Sequence, residues 1–237
     1  MSALPEQLED GESERLARLS DTSRVEAFSD GVFAIVIILL VLDLRVPDDA
    51  PGRLVDGLLE QWPPYAAYLT SFLYVGIVWQ NHHAAFGRIR DLDRGLHWVN
   101  LGILLTSALL PFPTAVLSFA VRSGMTSVDA RAAVALYATV GALLCVSWYG
   151  FFRYLATHPH LLENDVEEAF FQRECVRALL GALGYLLAGL AGYTLTPAIA
   201  LVVFIVIPAF FGLTSQGMSE LQMVVRRQGD RRHPRGE

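Results

Sequence analysis

A polar group precedes an apolar run near the start of the chain. Arg24 is followed four residues later by Phe28, Ser29 and Asp30, and the next charged residue is Asp43. An ionisable residue at the edge of an apolar helix usually faces protein or water and has a partner, because a lone charge in hydrocarbon is costly. We therefore predict that Asp30 points toward neighbouring helices. It serves either as part of a structural polar clamp or as a group that contacts ions directly.

A second polar cluster, Trp79–Gln80–Asn81–His82–His83, lies in a later apolar segment. Trp79 and His83 are four residues apart and share a helix face. Histidine titrates near neutral pH, so proton sensing competes with an interpretation as hydrogen-bonded core histidines. Adjacent histidines point apart on a helix and no third ligand is evident, so the pattern predicts no metal site. No Ser/His/Asp spacing suggests hydrolysis, and we expect neither an enzyme nor a cofactor.

Apolar helices must position these side chains. The chain has 237 residues, of which 53% are hydrophobic, and its mean hydropathy of +0.40 exceeds that of most soluble domains. Apolar runs predict an all-α membrane protein with six transmembrane helices. Their approximate bounds are 24–44, 62–86, 96–117, 130–152, 178–195 and 198–215. Pro111 and Pro113 predict a kink or break in the third helix, and the glycines of the fifth predict close helix packing.

The distribution of arginine predicts the orientation. All eighteen basic residues are arginine; fourteen fall in the termini and the second and fourth loops, and four in the remaining loops. The positive-inside rule therefore places both termini of this multi-pass cell-membrane protein in the cytoplasm. We expect a flexible cytosolic tail over 1–23, a transmembrane domain over 24–215 and a basic cytosolic tail over 216–237. No basic stripe interleaved with aromatics suggests nucleic-acid binding.

Three stretches together resemble the transmembrane protein 175 family of endolysosomal and prokaryotic potassium channels. They are Arg24 with Phe28–Ser29–Asp30, Trp79–Gln80–Asn81–His82–His83, and Leu109–Leu110–Pro111–Phe112–Pro113–Thr114. The resemblance implies a homotetramer in the lipid bilayer, in which four first helices line a central pore for potassium ions. It also implies a structural polar network that holds the first helix; its members here are Arg24, Phe28, Ser29, Asp30, Trp79 and His83.

One stripe of the first helix matches the pore-lining face of this family. At 100° per residue, Ile35, Ile38, Leu39 and Leu42 fall on one side of the helix. The resemblance places the constriction at Ile35, with further apolar rings at Leu39 and Leu42. Such rings stop ions by dewetting, since they offer a hydrated cation nothing in place of its water. Many members carry threonine where this chain has Ile38.

Acidic residues follow the stripe. Four copies of Asp43, with Asp48 and Asp49, predict an outer vestibule that enriches cations, although an ordinary solvated loop has the same composition. Two other functions remain open. One is a proton-coupled secondary transporter or proton pathway using Asp30, His82 and His83, and the other is a membrane scaffold that conducts nothing.

Overall fold

The computed structural model describes residues 3–47, 51–122, 124–163 and 168–214. Within these ranges the chain is all-helical, without β-strands, as predicted. A 3₁₀ turn, Pro159–Leu161, follows the sixth helix. The α-helices are α1 Ala3–Val41, α2 Leu54–Glu60, α3 Trp62–Phe86, α4 Arg94–Leu109, α5 Pro111–Arg122, α6 Val128–Thr157, α7 Glu168–Thr194 and α8 Pro197–Thr214.

Helix α1 is longer than predicted. It begins at Ala3 rather than near Arg24, so most of the stretch that we expected to be a flexible tail is helical. The sequence signal for this extension is weak, because residues 3–23 are polar and carry no apolar stripe that would mark a buried face. The short helix α2 lies in what was predicted to be the first outer loop.

The predicted break in the third apolar segment is confirmed. Helix α4 ends at Leu109 and α5 begins at Pro111. Pro111 has no N–H to donate to the carbonyl of Ser107, and the N–H of Leu110 donates to that carbonyl instead, at 3.1 Å. The hydroxyl of Thr114 then donates to the Leu110 carbonyl at 2.8 Å, which satisfies an acceptor at the break.

Among the described helices, α6 and α7 form the most extensive packing pair. They approach closely where Gly189 of α7 crosses α6, since a Cβ at this glycine would lie 2.5 Å from the Cβ of Ala138. The guanidinium of Arg131 donates to the carbonyls of Tyr193 and Thr194 at 2.6 and 3.2 Å. This contact ties the start of α6 to the end of α7, whose last carbonyls lack helical partners.

Helix α1 packs along one side against α3, α4 and α5. Its buried face carries Ser29, Phe33, Val36 and Leu40, each exposed by 2% or less. These residues recur at the three- and four-residue spacing of a helix face. Between residues 28 and 41, the opposite face of α1 is not covered by other described parts of the chain.

Length and hydropathy mark three helical segments of the described chain as able to cross a membrane. They are Arg94–Arg122, Val128–Thr157 and Phe170–Thr194, with Pro197–Gly212 as a shorter apolar helix. Helices α1 and α3 are absent from this set; the first motif precedes the apolar run of α1, and the second motif lies within the apolar run of α3. Six spans therefore remain a prediction. Asp48, Asp49 and the tail 216–237 lie outside the described residues.

Candidate functional site: a polar network beneath an exposed apolar helix face

Asp30 of α1 accepts a hydrogen bond from α3. The indole Nε1 of Trp79 lies 2.9 Å from Asp30 Oδ1. The predicted contact of Asp30 with a neighbouring helix is therefore found in the structure. Indole nitrogen only donates, so this contact fixes a carboxylate oxygen in place and cannot pass a proton from it into α3.

A second contact between the same helices lies one turn away. His83 Nδ1 is 2.7 Å from Glu26 Oε1, and the His83 side chain is 67% exposed. The rings of Trp79 and His83 stack with centroids 6.2 Å apart, which confirms that they share a helix face. Glu26 was not singled out in the sequence, although its position four residues before Asp30 places it on the same side of α1.

A buried chain of hydrogen bonds crosses three helices. Asn100 of α4 donates from Nδ2 to Ser29 Oγ at 3.1 Å, and its Oδ1 lies 2.8 Å from His82 Nε2. The Ser29 hydroxyl donates to the carbonyl of Val25 at 2.9 Å. Because the Asn100 amide donates to Ser29, its oxygen accepts from His82, and the His82 proton sits on Nε2. Every bond in this chain then has one direction.

His82 is a core residue, whereas its neighbour His83 is exposed. The His82 ring is fully buried and stacks on Phe86 with centroids 4.3 Å apart, while Phe33 of α1 meets it edge-on at 5.3 Å. The prediction that adjacent histidines point apart is confirmed. Sequence reasoning missed Asn100, whose signal is a lone amide in the apolar run of the third segment.

The predicted pore residues are all exposed: Ile35, Ile38 and Leu39 lie on the uncovered face of α1, and Leu42 directly follows its last residue, Val41. Ile35 is 58% exposed, Ile38 59%, Leu39 43% and Leu42 68%. Asp43 follows directly after this face and is half-buried. An exposed apolar side chain costs about 1.5–3 kcal/mol relative to a covered one in water. This stripe therefore has to be covered by lipid or by other copies of the chain.

Arg24 and Phe28 stand apart from the polar network. Both are exposed and line an open cavity of about 590 Å³, together with Asp91 before α4 and with residues of α4 that include Asn100. The structure thus gives Ser29, Asp30, Trp79 and His83 partners on neighbouring helices, in three separate sets: Asp30 with Trp79, Glu26 with His83, and Ser29 with Asn100. Within the described residues, Arg24 and Phe28 belong to none of these sets.

A hydrogen bond joins α3 to the third motif, Leu109–Thr114, which spans the break between α4 and α5. Ser71 Oγ of α3 lies 2.9 Å from Thr114 Oγ1. Since the Thr114 hydroxyl already donates to the Leu110 carbonyl, the Ser71 hydroxyl donates to Thr114. The proline stretch therefore has a structural role in joining α3 to α5.

At the end of the bundle where α3 finishes, Asp93 joins α4 to α6. It caps α4 by accepting from the Leu96 N–H at 2.7 Å, and it accepts from the Tyr154 hydroxyl at 2.6 Å. Burial alone raises the pKa of Asp93, but the hydrogen bonds from Tyr154 and Leu96 outweigh it and lower the pKa below its usual value. Among the described residues, no group of three or more His, Cys, Asp or Glu side chains could hold a metal ion.

Comparison with known proteins decides the family. A potassium channel of Streptomyces collinus is 42% identical over 175 residues, which cover 73% of this chain and 84% of that protein. The family model "Endosomal/lysosomal potassium channel TMEM175" matches residues 24–111, from the first motif arginine to the first proline of the third motif. The chain belongs to the TMEM175 family. Its members named here are ion channels rather than enzymes.

The solved structures agree with this assignment. The crystal structure of a lysosomal potassium-selective channel TMEM175 homolog from Chamaesiphon minutus is 32% identical to this TMEM175-family chain. It covers 83% of this chain and 98% of its own, with a TM-score of 0.71. Human TMEM175, an endosomal/lysosomal proton channel, is 43% identical over 86 residues, which span 17% of the human protein. Relatives that match parts of this chain thus include proteins named as potassium channels and proteins named as proton channels.

Proposed function

We propose that this chain forms a homotetrameric channel for monovalent cations, with potassium preferred over sodium, through a pore lined by α1. The observation that carries the proposal is the uncovered stripe of Ile35, Ile38 and Leu39 on the helix that bears the family motif, continued by Leu42 just past its end. A rotational axis that brings one such face from each of several copies together covers all of them at once. The copy number of four comes from the family resemblance.

The polar network sets which face of α1 turns toward the axis. Ile35 follows Asp30 by five residues, which is about 140° around a helix. Fixing Asp30 on Trp79 and burying Ser29 against Asn100 therefore turn Ile35 away from the protomer. In this account the network is a structural clamp that positions the pore face and does not contact the permeant ion.

Ile35 forms the narrow part of the proposed pore. A ring of branched apolar side chains excludes water when it is narrow, and a cation that enters must shed hydration without compensation. Leu39 and Leu42 form rings one and two turns further along, and Asp43 supplies negative charge at the outer end. The four Ile38 side chains form a further ring at the position where many members carry threonine. This ring contributes no hydroxyl that could replace water around potassium.

A proton pathway through Asp30, His82 and His83 is less well supported. Within the described residues, the hydrogen bonds place these groups in three separate sets: Asp30 with Trp79, His83 with Glu26, and His82 with Asn100. A relay needs a continuous run of groups that both donate and accept, and the Trp79 indole interrupts it. Proton permeation through the α1 pore itself remains compatible with this geometry.

Recording from the purified full-length chain in planar bilayers tests the proposal. With potassium on one side and sodium on the other, a channel gives discrete current steps that need no co-ion, and the reversal potential follows the potassium gradient. Flux that depends on a proton gradient and shows no unitary steps would instead support the transporter, and the absence of any flux would support the scaffold.

A further inference from the structure

A cavity of about 180 Å³ lies between α3, α5, α6 and α8. In this part of the fold α3 packs on α5 and α8, and α6 packs on the same two helices, so the four helices surround the cavity. Its lining extends from Trp62, the exposed first residue of α3, to Ser71 and Thr114, which are buried. The cavity shares no residue with the polar network that holds α1.

The lining of the cavity is mostly aliphatic or aromatic. Its members include Ala67 of α3, Leu117 of α5 and Leu201 of α8. Water is held in a cavity only where it finds two to four polar partners, so water is a poor occupant for most of this space. An engineered apolar cavity of about 150 Å³ stays dry and binds benzene. The volume and the lining therefore suit a neutral molecule that contains one ring.

The hydroxyl of Tyr137 distinguishes this cavity from a purely apolar one. Tyr137 of α6 lines the cavity and is 2% exposed, and its hydroxyl has no hydrogen-bond partner among the described residues. Ser71 is a polar neighbour of this hydroxyl on α3, but the two groups are not in hydrogen-bond geometry, and the Ser71 proton goes to Thr114. The Tyr137 ring stacks on Phe204 with centroids 4.7 Å apart, which fixes its orientation. Because a buried hydroxyl without a partner lowers stability, a ligand oxygen that accepts its proton would gain affinity.

We propose that this cavity binds a neutral phenol of one ring, with the ring among the apolar side chains and its oxygen accepting a hydrogen bond from Tyr137. The ring matches the volume, and the oxygen uses a donor that the described protein leaves unused. The end of a lipid chain would cover the apolar walls but leave Tyr137 unpartnered, whereas a water would do the reverse. Binding at this site depends neither on ion conduction nor on the number of copies in the assembly.

Fluorine NMR of the purified full-length protein in detergent tests the site with two ligands, 4-fluorophenol and fluorobenzene. The signal of each ligand bound to protein is measured against detergent alone. Wild-type protein should bind 4-fluorophenol about fivefold more tightly than fluorobenzene, the contribution of one neutral hydrogen bond. Tyr137→Phe removes only the hydroxyl, so it should abolish this preference and still bind fluorobenzene. Tyr193→Phe, at an exposed tyrosine of α7, should behave as wild type.

Two further measurements separate loss of the site from loss of the fold. Ala67→Leu fills the cavity and should abolish binding of both ligands, whereas Ala156→Leu, at an exposed position of α6, should not. Tyr137→Phe removes a hydroxyl that makes no hydrogen bond, so it should melt at or above the wild-type temperature. A lower melting temperature would show that this hydroxyl already has a partner and would overturn the proposal.

Three binding results would also overturn it. The first is unchanged binding of both ligands by Ala67→Leu, which would place the ligands in the detergent or elsewhere on the protein. The second is equal affinity of wild-type protein for 4-fluorophenol and fluorobenzene, as expected of a cavity that takes hydrocarbon only. The third is a preference for 4-fluorophenol that persists in Tyr137→Phe.

Discussion

The indole nitrogen of Trp79 lies 2.9 Å from a carboxylate oxygen of Asp30 and joins α3 to the helix that carries the exposed apolar stripe. The contact holds a charged group at the edge of an apolar run, where an unpaired carboxylate is costly. In the proposed channel it also helps to fix the rotation of α1 about its own axis, on which the outward orientation of Ile35 depends.

A double-mutant cycle measures this contact. Trp79→Phe and Asp30→Ala should each lower the thermal stability of the detergent-solubilised protein, with a coupling free energy of about 1 kcal/mol, because each removes one partner of the same hydrogen bond. Trp98→Phe, at an exposed position on α4, is the control and should leave stability unchanged. If the effects of the two substitutions are additive, the hydrogen bond between Trp79 and Asp30 contributes nothing to stability.

Removing the Asn100 side chain should lower the stability of the protein more than removing an exposed hydrogen bond does. Asn100→Ala leaves buried groups of Ser29 and His82 without that partner, and each such group costs about 1–3 kcal/mol. Thr139→Ala removes a hydroxyl that bonds only within α6 and is exposed, so it should have little effect. Thermal unfolding followed by tryptophan fluorescence compares the two. Similar melting temperatures for both variants would contradict the role assigned to the Asn100 chain.

The Asp93 cap should make stability depend on pH in the acid range. Its folded-state pKa is lowered, so the carboxylate contributes stability above the unfolded-state pKa and loses it as pH falls through the lower folded-state pKa. Asp93→Asn should therefore melt at lower temperature than wild type at neutral pH. The difference should shrink below the ordinary aspartate pKa of about 3.9. A difference that stays constant across this range would mean that the charge of Asp93 is unimportant.

Ile38→Thr should increase the preference for potassium over sodium. Each copy would place a hydroxyl on the proposed pore face, where it can replace part of the water of a potassium ion. The measurement is the reversal potential with potassium on the cytoplasmic side and sodium outside, which should become more negative. Ile205→Thr, at a similarly exposed position on α8, is the control. An unchanged reversal potential in Ile38→Thr would place position 38 away from the ion path.

Part of this architecture can be predicted from sequence because it depends on local chemistry. Trp62 and Pro63 mark the start of α3, and Pro111 marks the break between α4 and α5, since proline fixes its own backbone and removes a donor. The face of α1 that carries Ile35 follows from helical periodicity, and the contact of Asp30 with another helix follows from the cost of an unpaired charge.

The remainder depends on which helices become neighbours. Nothing in the spacing of Asn100 indicates that it bridges Ser29 and His82, because the three residues lie on different helices. Glu26 likewise acquires significance only from the nearby His83. The helical start of α1 at Ala3 carries no apolar periodicity, and helix α2 is too short to produce a clear pattern.

Single-channel recording of Ile35→Asn tests the central claim most directly, namely that Ile35 forms an apolar constriction in a pore built from several copies of α1. A polar side chain at the constriction should hydrate it and give a larger, leaky cation current in planar bilayers under a potassium/sodium gradient. Ile205→Asn changes an isoleucine of similar exposure on α8, 55% against 58%, and should leave the current as in wild type. Identical currents from wild type, Ile35→Asn and Ile205→Asn would contradict the account.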